Sequence, residues 1–250
     1  MKNNKIFLYL IFFGLGISAC SPIYYIPETH NVPLISEKGE VDVAGSISFN
    51  QAQFKAAYGL TNHIAIKANG GFLFQGGFFD EKRTFGNYIE LGTAFYKPFG
   101  EFWVFETYGI FGIGRIRNSF PRGDNDIFNP EPNSDGDLTA KFQRLGIQSN
   151  IGLKTDFLFC SFSSRLVHLR FHDIGGDLVF DNENQMAYLQ ANSENLLFEP
   201  AVTFLTNRTI LHDAKVGVQL GLSFNLTNRD FIQRNSYIAL MFNYSIKTGN

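Results

Sequence analysis

The 250-residue chain has only two cysteines, Cys20 and Cys160, and a single tryptophan. Two cysteines exclude a disulfide-stapled scaffold and a thiolate metal centre. After residue 19 no apolar run approaches the roughly 20 residues of a transmembrane helix. Charge of one sign is missing too: 21 Lys and Arg stand against 23 Asp and Glu, net −2. That balance offers no electrostatic footprint for nucleic acid. No phosphate-cradling glycine loop occurs.

What the chain has is phenylalanine and glycine, 28 and 24 of them. The stretch Lys215–Leu226 shows how they are used. Val216, Val218, Leu220, Leu222, Phe224 and Leu226 alternate with Lys215, Gly217, Gln219, Gly221, Ser223 and Asn225. A period of two is a strand whose faces meet different surroundings. A soluble sandwich and a membrane barrel both use such strands, and about a dozen residues suffice for a tilted strand to cross a bilayer.

The N-terminus favours the membrane. Lys2 and Lys5 precede an apolar run, Ile6 to Ile17, of signal-peptide length. Ile17-Ser18-Ala19-Cys20 resembles a bacterial lipobox, which predicts cleavage after residue 19 and acylation of Cys20. Ordinary cleavage near Ala19 is the alternative. Loss of Lys2 and Lys5 takes the mature charge from −2 to −4. Residues 20–39 read as a lipidated periplasmic tether, held extended by Pro22, Pro27 and Pro33.

From residue 40 onward, alternation predicts strands at about 40–49, 53–60, 64–74, 88–96, 102–114, 139–153, 157–171, 196–205, 215–226 and 237–246. The seventh alternates weakly, and Pro200 argues against a regular ladder in the eighth, a bulge being one form this could take. Connections after strands two, four and six are short. Those after three, five and seven are long, at about 75–87, 115–138 and 172–194. Sorting of loop length by parity is what an outer-membrane barrel does, with short periplasmic turns and long surface loops. Two connections fit less well: the turn at 50–52 is very short for the surface side, and 206–213 is longish for the periplasmic side. The expected fold is therefore an all-β, antiparallel, up-and-down transmembrane barrel over 40–250, of about ten strands, eight or twelve being the alternatives. An even count puts both ends of the barrel at the periplasmic mouth, where a lipid on Cys20 would face the periplasm.

The run Tyr24-Tyr25-Ile26-Pro27-Glu28-Thr29-His30-Asn31-Val32-Pro33-Leu34-Ile35-Ser36-Glu37-Lys38-Gly39-Glu40 resembles the start of small outer-membrane barrel lipoproteins of Bacteroidota. So does Ala57-Tyr58-Gly59-Leu60-Thr61-Asn62-His63-Ile64-Ala65. The resemblance implies an outer-membrane location and a barrel fold, but no reaction.

On the inward positions fall Asp42, Glu90, Glu106 and Glu199 with Lys55, Lys67, Arg144 and Lys215. Charges in a narrow interior are costly unless paired. Near-equal signs predict a mutually neutralising network that fills the lumen. Glycine and alanine at many inward positions leave a narrow solute pore as the runner-up. Asp124, Asp126, Glu131, Asp135 and Asp137 in the loop 121–138 carry calcium-type oxygens. A proline interrupts them and the ligand spacing of a calcium loop is absent, so a solvated loop is expected. No other cofactor is implied.

Enzymatic readings are spacing coincidences. Asp124 and Asp126 with His172-Asp173 echo rim-sited outer-membrane proteases. Ser164, His168 and Glu199 echo lipid A hydrolases, and His212-Asp213 falls at the periplasmic end. The sequence reading is a structural or interaction protein acting through loops 115–138 and 172–194, with outer-membrane lipid and other outer-membrane proteins as partners.

Overall fold

The computed structural model describes residues 21–75, 83–120, 134–155, 157–206 and 214–247. Ten antiparallel strands form the wall. They are β1 Glu40–Ser48, β2 Gln51–Gly59, β3 Ile64–Gln75, β4 Arg83–Phe99, β5 Trp103–Phe120, β6 Gly136–Lys154 and β7 Leu158–Gly176. They continue as β8 Glu194–Thr206, β9 Ala214–Leu222 with its extension Phe224–Asn225, and β10 Ser236–Lys247. Each strand pairs with its sequence neighbour, and β1 closes on β10 from Glu40↔Lys247 to Ser48↔Ala239. Among the described strands, closure leaves no unpaired sheet edge.

The alternation in sequence becomes two faces. Ile64, Ile66, Phe72, Phe111, Ile113, Leu145, Ile147, Val218, Leu220 and Leu240 are exposed on the outer wall. Phe95, Phe99, Phe102, Trp103, Phe157 and Tyr244 gather toward one mouth as an aromatic girdle. That mouth carries the short turns. In one, Thr61 Oγ1 accepts the Ile64 N–H at 3.0 Å. In another, Gly100 takes φ +62° after Lys97-Pro98-Phe99.

At the opposite mouth the strands outlast the apolar alternation. The wall there turns Arg117, Asp137, Lys141 and Asp173 outward, and these pair as Arg117–Asp137 at 3.1 Å and Lys141–Asp173 at 2.9 Å. The loops predicted at 115–138 and 172–194 are therefore shorter than expected, because backbone pairing continues after the apolar outer pattern ends. Most of the longer connections lie here, although β1 and β2 are joined by residues 49 and 50 alone; in the outer-membrane reading of the sequence this is the outer mouth and its opposite the periplasmic one. Beyond β7, Val179–Phe180 pairs with Glu183–Asn184 around Asp181 and Asn182, whose φ values of +52° and +63° suit Asp and Asn in a tight hairpin. Asn184 then caps helix α1, Gln185–Ala191, accepting the Ala187 N–H at 3.0 Å.

Pro200 produces no bulge: Glu199↔Arg165, Pro200↔Ser164 and Ala201↔Ser163 keep one register. The ladder lapses instead on the β9 side, between Leu222 and Phe224, where a proline has no N–H to give. A register shift occurs between β6 and β7, at Thr139/Lys141.

One segment departs from the sequence reading. Residues 22–35 are buried throughout, inside the barrel. The stretch expected as a tether outside the wall runs through the lumen from the outer mouth to the periplasmic one. There Gly39, at φ +82°, gives its N–H to the Gly59 carbonyl at 2.8 Å and turns the chain back into β1.

Candidate functional site: a lumen filled by the N-terminal segment

An extended chain with no flanking ladder must find other partners for its backbone. Among the described residues its only bridge to the wall loops is Tyr25↔Gln233. Side chains from the wall supply the rest. Gln51 Nε2 donates to the Pro27 carbonyl at 2.9 Å and Gln148 Nε2 to the Asn31 carbonyl at 2.7 Å. The His30 N–H goes to Gln219 Oε1 at 2.6 Å, and the His30 carbonyl accepts from Lys55 Nζ at 3.0 Å. Lower down, the Ile35 N–H goes to Glu106 Oε1 at 2.7 Å and Lys154 Nζ reaches the Leu34 carbonyl at 2.9 Å. Inward polar residues of several strands thus act as a cradle for one peptide backbone.

The filling is layered. Near the outer mouth Ile23, Tyr24, Tyr25 and Ile26 join Tyr88, Phe142, Phe171, Leu189 and Phe231 in an apolar cluster. Tyr24 stacks on Tyr188 of α1 with ring centroids 5.8 Å apart. The Tyr188 hydroxyl donates to the Asp230 carbonyl at 3.0 Å and accepts the Ile232 N–H at 3.1 Å. Burial raises this phenol above its ordinary pKa, keeping the proton it donates. Nearer the periplasm, Val32 and Leu34 pack with Val104, Phe159 and Met241.

Between the apolar layers lies the charge belt. Arg144 binds Glu28 of the threaded segment and, through Nη2, Glu90 at 2.9 Å. Lys67 stands 3.7 Å from Glu90 and gives a hydrogen bond to Gln148 at 2.9 Å. Glu199 accepts from the Tyr25 hydroxyl at 2.8 Å and lies 3.7 Å from Arg165. Lys55 Nζ also meets Thr29 Oγ1 at 2.5 Å. Asp42 accepts from Asn243 at 2.9 Å and Ser245 at 2.6 Å, and Glu106 accepts from Asn150 at 3.0 Å.

Seven of the eight predicted lumen residues are therefore fully buried on the inner face, within one connected interior. Lys215 is the exception: it sits partly buried at the periplasmic end, its Nζ on the Thr155 carbonyl at 2.9 Å. Three participants escaped the sequence reading. Glu28 and His30 fall in the stretch expected as a tether, and Arg165 lies in the strand with the weakest alternation. That strand is irregular because its inner face changes from Ser161, Ser163 and Arg165 in the belt to Val167, Leu169 and Phe171 in the apolar layer.

Several inward glycines face space that is already occupied. A Cβ on Gly59 would strike the Glu37 carbonyl, one on Gly152 would lie 2.6 Å from Leu34 Cδ1, and Arg144 lies across Gly112. Inward glycines are where the segment and long side chains sit.

The other candidate residues do not assemble. Ser164 and His168 lie on the outer face of β7, where His168 is 4.0 Å from Glu194, whereas Glu199 points inward. Asp173 is engaged with Lys141. Asp124, Asp126, Glu131, His212, Asp213 and Cys20 lie outside the described residues. Of the remaining loop acids, Asp137 pairs with Arg117 at 3.1 Å. Among the described residues no three His, Cys, Asp or Glu side chains group as a metal set.

No protein-family model matches the chain, and no curated protein matches it. Several solved structures align with it at low similarity. The translocator domain of the autotransporter NalP from Neisseria meningitidis aligns at 9% identity over 82% of this chain and 85% of that one, TM-score 0.44. The outer membrane protease OmpT from Escherichia coli aligns at 11% identity over 82% and 90%, TM-score 0.42. A KdgM porin aligns at 9% identity over 83% and 99%, TM-score 0.35. The fold itself is an all-β, antiparallel, closed ten-stranded barrel.

Proposed function

We propose that the protein is an outer-membrane barrel lipoprotein with a structural or interaction role, its lumen closed by its own N-terminal segment. The observation that carries this reading is the continuous burial of residues 22–35 within the wall. A lumen whose inward groups are spent on holding a peptide has little left for a passing solute. The apolar outer wall and the aromatic girdle support placement in a bilayer, and the parity of loop lengths supports the outer membrane of a bacterium. The lipobox-like Ile17-Ser18-Ala19-Cys20 supports acylation of Cys20.

The working surface in this reading is the outer cap. Helix α1, the 179–184 hairpin and the connection from Leu226 to Asn235 fold over the mouth on the rings of Tyr24 and Phe231. Another outer-membrane protein or the surface glycolipid would meet these elements first. Planar-bilayer recording on the purified full-length protein tests the closed lumen. Silence at moderate voltage is expected, and a steady ohmic channel would restore the narrow-pore reading.

A further inference from the structure

The direction of the threaded segment has a topological consequence. Ile23 is clamped to Asn118 of β5 by two hydrogen bonds: its N–H donates to Oδ1 at 3.1 Å, and Nδ2 donates to its carbonyl at 3.1 Å. Asn118 is two residues from the outer end of β5, which closes at Phe120. The next two residues are held at the same mouth. The Tyr24 N–H donates to the Ile232 carbonyl at 3.2 Å, and the Tyr25 carbonyl accepts the Arg234 N–H at 2.9 Å. At the other extreme Ser36 gives its N–H to Glu40 Oε2 at 2.7 Å, beside the short turns. The chain therefore enters the lumen from outside and leaves it at the periplasmic mouth.

We infer that the N-terminal end of the mature protein emerges on the outer face of the membrane, so that the acyl chains on Cys20 lie in the outer leaflet. This inference rests on the lipoprotein reading above and reverses the orientation expected from strand parity. Strand parity fixes only where β1 begins and β10 ends, and Glu40 and Lys247 do share the periplasmic mouth. Covalent reach decides the rest. Cys20 is three residues from Ile23, at most about 11 Å of extended chain. The hydrocarbon core is about 30 Å thick. An acyl group attached there cannot return to the inner leaflet, and the one passage through the wall is filled by residues 22–35. The nearest lipid is that surrounding the outer rim.

A second consequence concerns assembly. A lipidated end pulled through a finished barrel would drag its acyl chains past Glu28, Arg144, Glu90 and Arg165. The wall must instead close around the segment, which makes the cradle of wall side chains part of the folding route.

The test uses the full-length protein in intact cells, with Cys160→Ser as background. A membrane-impermeant maleimide is applied to Ser21→Cys and, as periplasmic control, to Asn62→Cys, an exposed position in the β2–β3 turn. Mass spectrometry of the N-terminal peptide reports the acyl group, and heat-modifiable migration reports the folded barrel. The inference expects a thioether-linked diacylglycerol on Cys20. It also expects Ser21→Cys to label as fully in intact cells as in permeabilised ones, and Asn62→Cys to label only after permeabilisation. Labelling of Ser21→Cys only after permeabilisation overturns the inference while leaving the lipoprotein reading intact. An unacylated N-terminus with outside labelling overturns the lipoprotein reading and with it the lipid placement, leaving the threading. A protease site inserted between Ser21 and Pro22 repeats the test without a new thiol: cleavage by protease added to intact cells supports the inference, and resistance until permeabilisation overturns it.

Discussion

The Glu28 carboxylate, carried on a segment that belongs to no strand, binds the Arg144 guanidinium of β6, which also holds Glu90 of β4 at 2.9 Å. One residue of the threaded segment thereby completes the electrostatics of the wall. Arg144 and Lys67 face Glu90 together, so the wall on its own would bury excess positive charge around a single carboxylate.

Glu28→Ala should therefore destabilise the barrel by about 3 kcal/mol, the low end for a buried charge deprived of a partner, because Glu90 remains. The measurement is thermal unfolding in detergent by loss of heat-modifiable migration. A change within ~0.5 kcal/mol would mean that Arg144 is hydrated and not held by Glu28.

The outer pair makes the opposite case. Lys141 and Asp173 lie 2.9 Å apart with side chains 62% and 61% exposed. Asp173→Asn is expected to shift stability by less than ~1 kcal/mol in the same assay. Only the interior pair should register.

Gly59 tests the contact between wall and segment. A β-branched side chain there meets Ile35 of the threaded segment and the Glu37 carbonyl just beyond it. Gly59→Val should cost about 1–3 kcal/mol, the range for overpacking. It should also release the Ile35 amide from Glu106, read as faster hydrogen exchange at residues 34–37 with the strand amides unchanged. Uniform loss of protection would instead point to a collapsed wall.

Tyr188 bridges α1 to the connection before β10 through one hydroxyl with two partners. Tyr188→Phe keeps the stacking on Tyr24 but leaves the Ile232 N–H without its acceptor, at about 1–3 kcal/mol. The effect should be confined to exchange in residues 226–235. No change there would remove Tyr188 as the latch of the cap.

The wall was legible from sequence because an apolar outer face and a filled interior enforce a period of two along each strand, as Lys215–Leu226 and Ile64–Phe74 show. Inward charges followed from the same alternation. The threaded segment was not legible by that route, since extended chain inside a lumen has no periodicity to betray it. A signal was nonetheless present: Ile23, Tyr24, Tyr25, Ile26, Val32, Leu34 and Ile35 are too apolar for a solvated tether. Helix α1 was missed because seven residues give too short a window for a helical period. Arg165 was missed because its strand serves two kinds of layer.

The most direct test of the threaded lumen is an engineered cross-link between segment and wall. Thr29 Oγ1 and Ser46 Oγ of β1 lie 2.7 Å apart in the interior. In a Cys160→Ser background, Thr29→Cys with Ser46→Cys should form a disulfide on mild oxidation of the folded, purified protein. Two thiols that stay free in a barrel of normal heat-modifiable migration would contradict the account, since residues 22–35 would then lie elsewhere.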